Sequence, residues 1–402
     1  MEYPYGTFQY FMKIQIWSRF TLAGLMASCL AQAQEQSKLF STDMTFETAL
    51  KQAAEHKKIV FIDFFTTWCG PCKTLDRTTW QDARVISLLR EKAIALKIDA
   101  EKQVALAQRY QVDAYPTLLL LKPDGSIIDR LVGYRDATKF ISEFNAALDG
   151  KTSLIRAQDA VASAANSGGE SSVQARYQLA QTLAQTGKHA EALKEYLWLF
   201  DDGMKREPGF GGVRDSFLLS SIASLGREYP PALTALRERR DTAQAQLEAG
   251  GRDLLAAMDF ARINGALNDE PRSLALFDNL PATSPARKVL GRFIFDQLLT
   301  SRRYADALGA RPMEEFTRQF DMTTTRFWGD GASKFTPEMR KQMQSYCIED
   351  AAKQIEALAG AGKLDDARQL IKRLRALDDT QATAVALHQH LDRAGQSKLA
   401  EF

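Results

Sequence analysis

Residues 59–72, IVFIDFFTTWCGPC, constrain this chain more than any other stretch. IVFIDFF (59–65) is a run of apolar, β-favouring residues broken by one aspartate, the pattern of a strand buried on both faces. A short turn follows, then Cys69 and Cys72 three positions apart, then a helical pattern to residue 92 that breaks near Thr78 and Thr79. A strand that passes into a helix at a cysteine puts Cys69 at the helix N-terminus. Unpaired N–H groups and the helix dipole stabilise a thiolate there, which makes Cys69 the attacking sulfur. Cys72 lies one turn further in, where i and i+3 side chains meet, and is placed to act second by resolving a mixed disulfide. Pro71 suits a first helical turn because its missing N–H costs little there. Gly70 keeps the approach to Cys69 open. On the residues alone, two other uses of the pair stay open. A metal site needs two more ligands from Cys347, His56, His189, His388 and His390, none at finger-like spacing. A purely structural disulfide would close a very short loop, which gains least from cross-linking.

The surroundings set a domain around this pair. A helical pattern (44–58) precedes the strand; a strand (93–99), a helix (102–112), a hairpin of two strands (117–122 and 126–134) and a helix (136–150) follow. Asp136 is the expected cap of that last helix and Gly150 its stop. This order describes an α/β domain with a mixed sheet covered on both faces, in about 110 residues.

WCGPCK (68–73) resembles the active-site signature of thioredoxins, and residues 40–150 are similar to a whole thioredoxin domain. The resemblance implies a thiol–disulfide oxidoreductase with no cofactor beyond the Cys69–Cys72 pair. It makes Asp63, six residues before Cys69, the buried acid that handles the proton of Cys72. It makes Pro116 the family's cis-proline, holding the backbone of Tyr115 where substrate chain pairs. It places Gly133 beside that groove, with Trp68, Gly70 and Pro71 on the substrate side. The family's substrates are protein or peptide thiols and disulfides. Two positions depart from the family pattern. Ala95 stands where many members carry a lysine near the acid, with Lys97 two residues on, and Tyr115 replaces a small or aliphatic residue, which implies a different substrate preference. TTWQDARV (78–85) is similar to a segment of periplasmic thiol:disulfide interchange proteins, which points to an envelope protein.

The first 33 residues read as an export signal. Lys13 and Arg19 precede the apolar stretch 20–31, and Ala31-Gln32-Ala33 fits a cleavage site ahead of Gln34. A single membrane anchor is the alternative, although the apolar run is short of the ~20 residues a spanning helix needs. Lipid attachment at Cys29 is a third, less favoured reading. Removing residues 1–33 takes away Glu2, Lys13 and Arg19 and lowers the net charge from +2 to +1. So balanced a charge carries no nucleic-acid footprint.

Beyond residue 150 a helix and linker (151–172) lead into an all-α region (173–402) rich in Ala, Leu, Arg and Gln. Segments 186–196, 361–371 and the truncated 394–402 match one another, and 267–277 aligns with 301–311, with offsets of 33 or 34 between some neighbours. They resemble tetratricopeptide repeats, most clearly at Leu179, Ala180, Gly187, Ala192 and Tyr196; an irregular bundle is the other reading. TTTRFWGDGASKFTP (323–337) is expected to interrupt these helices.

The functional expectation is an exported protein dithiol reductase or isomerase, fed by a membrane electron donor, whose helical region recruits a substrate or partner. The alternative is an envelope chaperone or assembly scaffold in which the helices bind clients and redox chemistry is secondary.

Overall fold

The computed structural model describes residues 39–41, 44–167 and 171–401. The expected export signal with Cys29, and residues 168–170 of the expected linker, lie outside them. The described residues divide into two compact units at Glu195/Tyr196.

The first unit is built on a four-stranded sheet of order β2-β1-β3-β4: β1 Ile59–Phe65, β2 Ala93–Asp99, β3 Thr117–Leu121 and β4 Ile127–Val132. β1 runs parallel to β2 and antiparallel to β3, and β3 and β4 form a hairpin. Alternation along β1 sends Val60, Ile62 and Phe64 to one core and Phe61 to the other. Helix α1 (Phe46–His56) covers the first core with Phe46, Ala49 and Ala53. Helices α2 (Gly70–Arg77), α3 (Ala83–Lys92) and α5 (Ala137–Leu148) cover the second through Leu75, Leu89, Phe140 and Phe144. Each fully buried phenylalanine contributes roughly 2–3 kcal/mol of transfer free energy. Asp63 shares the Phe61 side of β1 and therefore points under α2.

The expected break near the threonines is a 3-10 turn, Thr79–Gln81. It is held because the buried Thr79 hydroxyl donates to the Arg135 carbonyl (2.6 Å) and Asp82 caps α3 by accepting from the Arg84 N–H (2.8 Å). Asp136 caps α5 in the same way through the Lys139 N–H (2.9 Å). The helix expected over 102–112 is shorter, α4 Val104–Arg109.

Within the expected helix and linker (151–172), residues 153–167 form helix α6 (Ser153–Ser167), which packs on β4 and on α7 (Ser171–Gln185). The bond that fixes it is non-local. Asp129, buried in β4, accepts from both the N–H (2.8 Å) and the hydroxyl (2.5 Å) of Ser153 at the start of α6.

The second unit is helical throughout its described length. Each of the five segments noted in the sequence, the first of which (186–196) has its turn in the first unit and the other four in the second, closes a helix in the same way. A three-residue connection carries one residue at positive φ (Gly187, Asn268, Arg302, Gly362 and Gly395). The next N–H donates back to the carbonyl five residues earlier, as from Lys188 to Leu183 and from Arg303 to Leu298, at 2.8–2.9 Å in all five. This is the Schellman closure, which satisfies carbonyls left free at a helix end. The interruption expected at 323–337 begins only at Gly329: the helix Met313–Trp328 runs through the threonines, and a 3-10 turn Asp330–Lys334 leads to the helix Pro337–Gly360. Trp328 is partly buried against the helical core, and Phe335 packs on Phe327 with ring centroids 5.1 Å apart.

Candidate active site

Cys69 is the N-cap of α2, with extended backbone, and its sulfur is bonded to that of Cys72 at 2.03 Å. The Cys72 N–H also points at Cys69 Sγ (3.1 Å), so a free backbone donor of the first turn faces the first sulfur. Both cysteines are nearly covered, at 4% and 1% exposure, which leaves Cys69 only slightly the more accessible. Pro71 occupies the first turn, and a Cβ at Gly70 would meet nothing within 4 Å, so the surface beside Cys69 is open.

Asp63 is fully buried in the middle of β1. Its Oδ2 accepts from the Trp80 indole N–H (3.0 Å) and lies 3.7 Å from the Lys97 ammonium. Its Oδ1 is buried without a hydrogen-bond partner among the described residues. Burial pushes the Asp63 carboxyl up to about 6, against the pull of Lys97 and of the Trp80 N–H. A carboxyl tuned there ionises near neutral pH and can both take and release a proton.

The Tyr115–Pro116 peptide bond is cis. The Gly133 N–H donates to the Pro116 carbonyl (2.8 Å), and Gly133 itself sits at φ +89°, where a side chain would strain the backbone. Trp68, 65% exposed, is held by two contacts. Its indole N–H donates to Glu101 Oε1 (2.9 Å), and its ring meets Tyr115 edge-to-face at 5.9 Å. Burial, then the nearby carboxylate of Glu101, raises the Tyr115 hydroxyl.

Four side chains around this site were not singled out from the sequence as site residues: Trp80, Lys97, Asp76 and Glu101. Lys97 had a signal, because strands of equal length paired in parallel put it directly across from Asp63. The others depend on which side chains the fold brings together.

The remaining thiol and histidines lie elsewhere. Cys347 is buried, and burial followed by Asp350 pushes its thiol up to about 11, which makes it unreactive. His390 is buried between Glu356 (2.6 Å) and Glu349 (3.0 Å), whereas His388 is exposed. Among the described residues no group of three or more His, Cys, Asp or Glu could hold a metal ion. The redox group is the protein's own cysteine pair.

Comparison with known proteins agrees with this geometry. Residues 46–148 match the family model described as a thioredoxin-like domain. A thioredoxin-like protein of Synechocystis is 36% identical over 98 residues, covering 24% of this chain and 90% of that protein. The chloroplastic thioredoxin Y of Oryza sativa is 32% identical over 123 residues (31% of this chain, 66% of that protein). Thioredoxin-1 of Drosophila melanogaster is 45% identical over 71 residues (18% and 63%). The chain thus spans somewhat less than two thirds of the last two. A solution structure of a candidate disulphide-isomerase from Bacteroides thetaiotaomicron is 38% identical, over 26% of this chain and 88% of that one, with a TM-score of 0.25. With its bonded cysteines and thioredoxin relatives, the first unit is a thiol–disulfide oxidoreductase, and through residues 46–148 the chain belongs to the thioredoxin-like family.

Proposed function

We propose that the protein is an exported protein dithiol reductase or isomerase that acts through Cys69 and Cys72, with its helical region recruiting the protein whose disulfide is exchanged. The observation that carries the chemistry is the pair at the N-terminus of α2, with a backbone N–H on Cys69 Sγ and a buried acid beneath the helix. In the reduced protein the Cys69 thiolate attacks one sulfur of a substrate disulfide and displaces the other as a thiolate. Asp63 then takes the Cys72 proton. The Cys72 sulfur attacks Cys69 Sγ, and the second substrate thiolate leaves. The substrate is reduced by two electrons and the pair is oxidised. Substrate chain lies against Tyr115 and Pro116, with Trp68, Gly70, Pro71 and Gly133 around it.

The reducing direction is supported by the Gly-Pro dipeptide between the cysteines, since the potential depends on how well the reduced thiolate is stabilised. Export is supported by the pattern of residues 1–33, and an exported reductase needs a membrane electron donor to regenerate its dithiol. The tetratricopeptide-like helical pairs beyond residue 173 supply the recruiting surface in this reading.

A Cys72→Ser variant tests the chemistry, because it stops after the first attack and accumulates mixed disulfides. Absence of any trapped adduct in envelope extracts, with the fold intact, would count against an oxidoreductase role. Removing residues 173–402 is expected to change which proteins are trapped; an unchanged set argues against recruitment. The potential of the Cys69–Cys72 couple decides direction: a value far above that of glutathione refutes the reductase reading. A mature N-terminus other than Gln34 refutes the proposed cleavage.

A further inference from the structure

One ammonium serves two carboxylates beside the cysteine helix. Lys97 Nζ lies 3.7 Å from Asp63 Oδ2 and is hydrogen-bonded to Asp76 Oδ1. The ammonium also lies over two aromatic rings, with Nζ 4.9 Å from the Phe65 ring centroid and 5.8 Å from that of Phe40. Its side chain is 19% exposed. Asp76 belongs to α2, four residues after Cys72 and so on the same helix face, and its side chain is 45% exposed. The groups facing Asp63 are therefore Lys97 from β2, Trp80 from the 3-10 turn and Asp76 from α2.

We propose that Asp76 is a positioning residue for the proton step: by competing with Asp63 for Lys97, it keeps Asp63 basic enough to accept the Cys72 proton. An ammonium drawn closer to Asp63 stabilises its ionised form and weakens it as a base; one drawn toward Asp76 does the reverse. Both groups act on Asp63 in this sense: the Lys97 ammonium lowers its proton affinity and the Asp76 carboxylate raises it. In the step served, the Cys72 S–H bond breaks and its proton goes to Asp63. The sulfur's electron pair forms the bond to Cys69 Sγ. The Cys69–substrate bond breaks with its electrons on the departing thiolate. Asp63 Oδ1, buried and without a hydrogen-bond partner among the described residues, is the oxygen left to take that proton.

This inference rests on the reading of Asp63 as the proton acceptor, and the test separates the two. In the oxidised full-length protein neither paired cysteine titrates, so the NMR shift of the Trp80 indole N–H, which is bonded to Asp63, follows Asp63 against pH without a cysteine contribution. Asp76→Asn is expected to lower the midpoint by about one pH unit and Lys97→Met to raise it by a similar amount. The acid limb of kcat/KM for disulfide reduction should move in the same directions. An unchanged or raised midpoint in Asp76→Asn overturns the proposal, and Asp76→Ala provides a second variant at this half-exposed position with the same expected sign. If Asp63→Asn abolishes the indole titration but leaves the rate profile unaltered, the reading of Asp63 as proton acceptor fails while the Asp76–Lys97 coupling stands.

Discussion

Replacing Asp63 by asparagine should stabilise the oxidised protein above pH 6 and do almost nothing near pH 3. The carboxyl is fully buried, and its ionisation is moved from 3.8 to about 6, chiefly by burial. At about 1.4 kcal/mol per tenfold change in affinity, charging it in the folded state costs about 3 kcal/mol more than in the unfolded chain. The sign follows from linkage. The folded state holds its proton to higher pH than the unfolded state does, so this stabilising contribution is complete below about pH 4. It is lost as pH rises toward 6 and stays lost above it. Asparagine has the same shape, can still accept from Trp80, and never charges. Wild type should therefore fall by about 3 kcal/mol relative to Asp63→Asn between pH 4 and pH 8. Native-state hydrogen exchange of the β1 and β3 amides reads this domain without interference from the helical unit. A difference that is the same at pH 4 and pH 8, or a variant less stable than wild type at pH 8, would refute the argument.

Two further substitutions probe the scaffold. Asp129→Ala removes the buried acceptor of the Ser153 N–H and hydroxyl and should weaken the attachment of α6 by about 2–3 kcal/mol. Faster amide exchange across 153–160 is the readout, and unchanged protection there would mean that α6 is held by other contacts. In the helical unit, a Cβ at Gly291 would come within 2.6 Å of the Ala310 Cβ, so Gly291→Ala should cost about 1–3 kcal/mol through overpacking. A thermal midpoint equal to or above wild type would contradict that close approach.

Much of this architecture is legible in the chain because it is local. The buried strand 59–65, the cap at Asp136 and the break at the threonines each follow from a few neighbouring residues. The five turns of the helical region are legible for the same reason. The self-similar segments mark the places where a residue adopts positive φ, even where that residue is Arg302 rather than glycine. What escapes the sequence is assembled across distance. The Trp80–Asp63 bond joins residues 17 apart, Lys97 to Asp76 spans 21, and Ser153 to Asp129 spans 24. No periodicity or motif encodes which of several polar side chains meets a given acid after folding. For that reason the anchoring of α6 on β4 through Asp129 is not legible in the chain.

The same distinction bears on how the redox site is tuned. The environment of Cys69 is contiguous: its cap position, the Cys72 N–H and Pro71 all lie within four residues. Any chain carrying this strand–turn–helix therefore reproduces the thiol chemistry. The environment of Asp63 is drawn from four separate elements: its own strand, Lys97 on β2, Asp76 on α2 and Trp80 on the 3-10 turn. The acid can therefore be strengthened or weakened without altering the cysteine motif. In a proton-coupled exchange the base must match the working pH. On the roles proposed for Cys69, Cys72 and Asp63, the dipeptide Gly70-Pro71 bears mainly on the attacking thiolate, while the sharing of Lys97 sets the pH range over which Cys72 can resolve a mixed disulfide. Two chains with the same four-residue motif can thus differ in that range because of a lysine placed two residues further along the neighbouring strand.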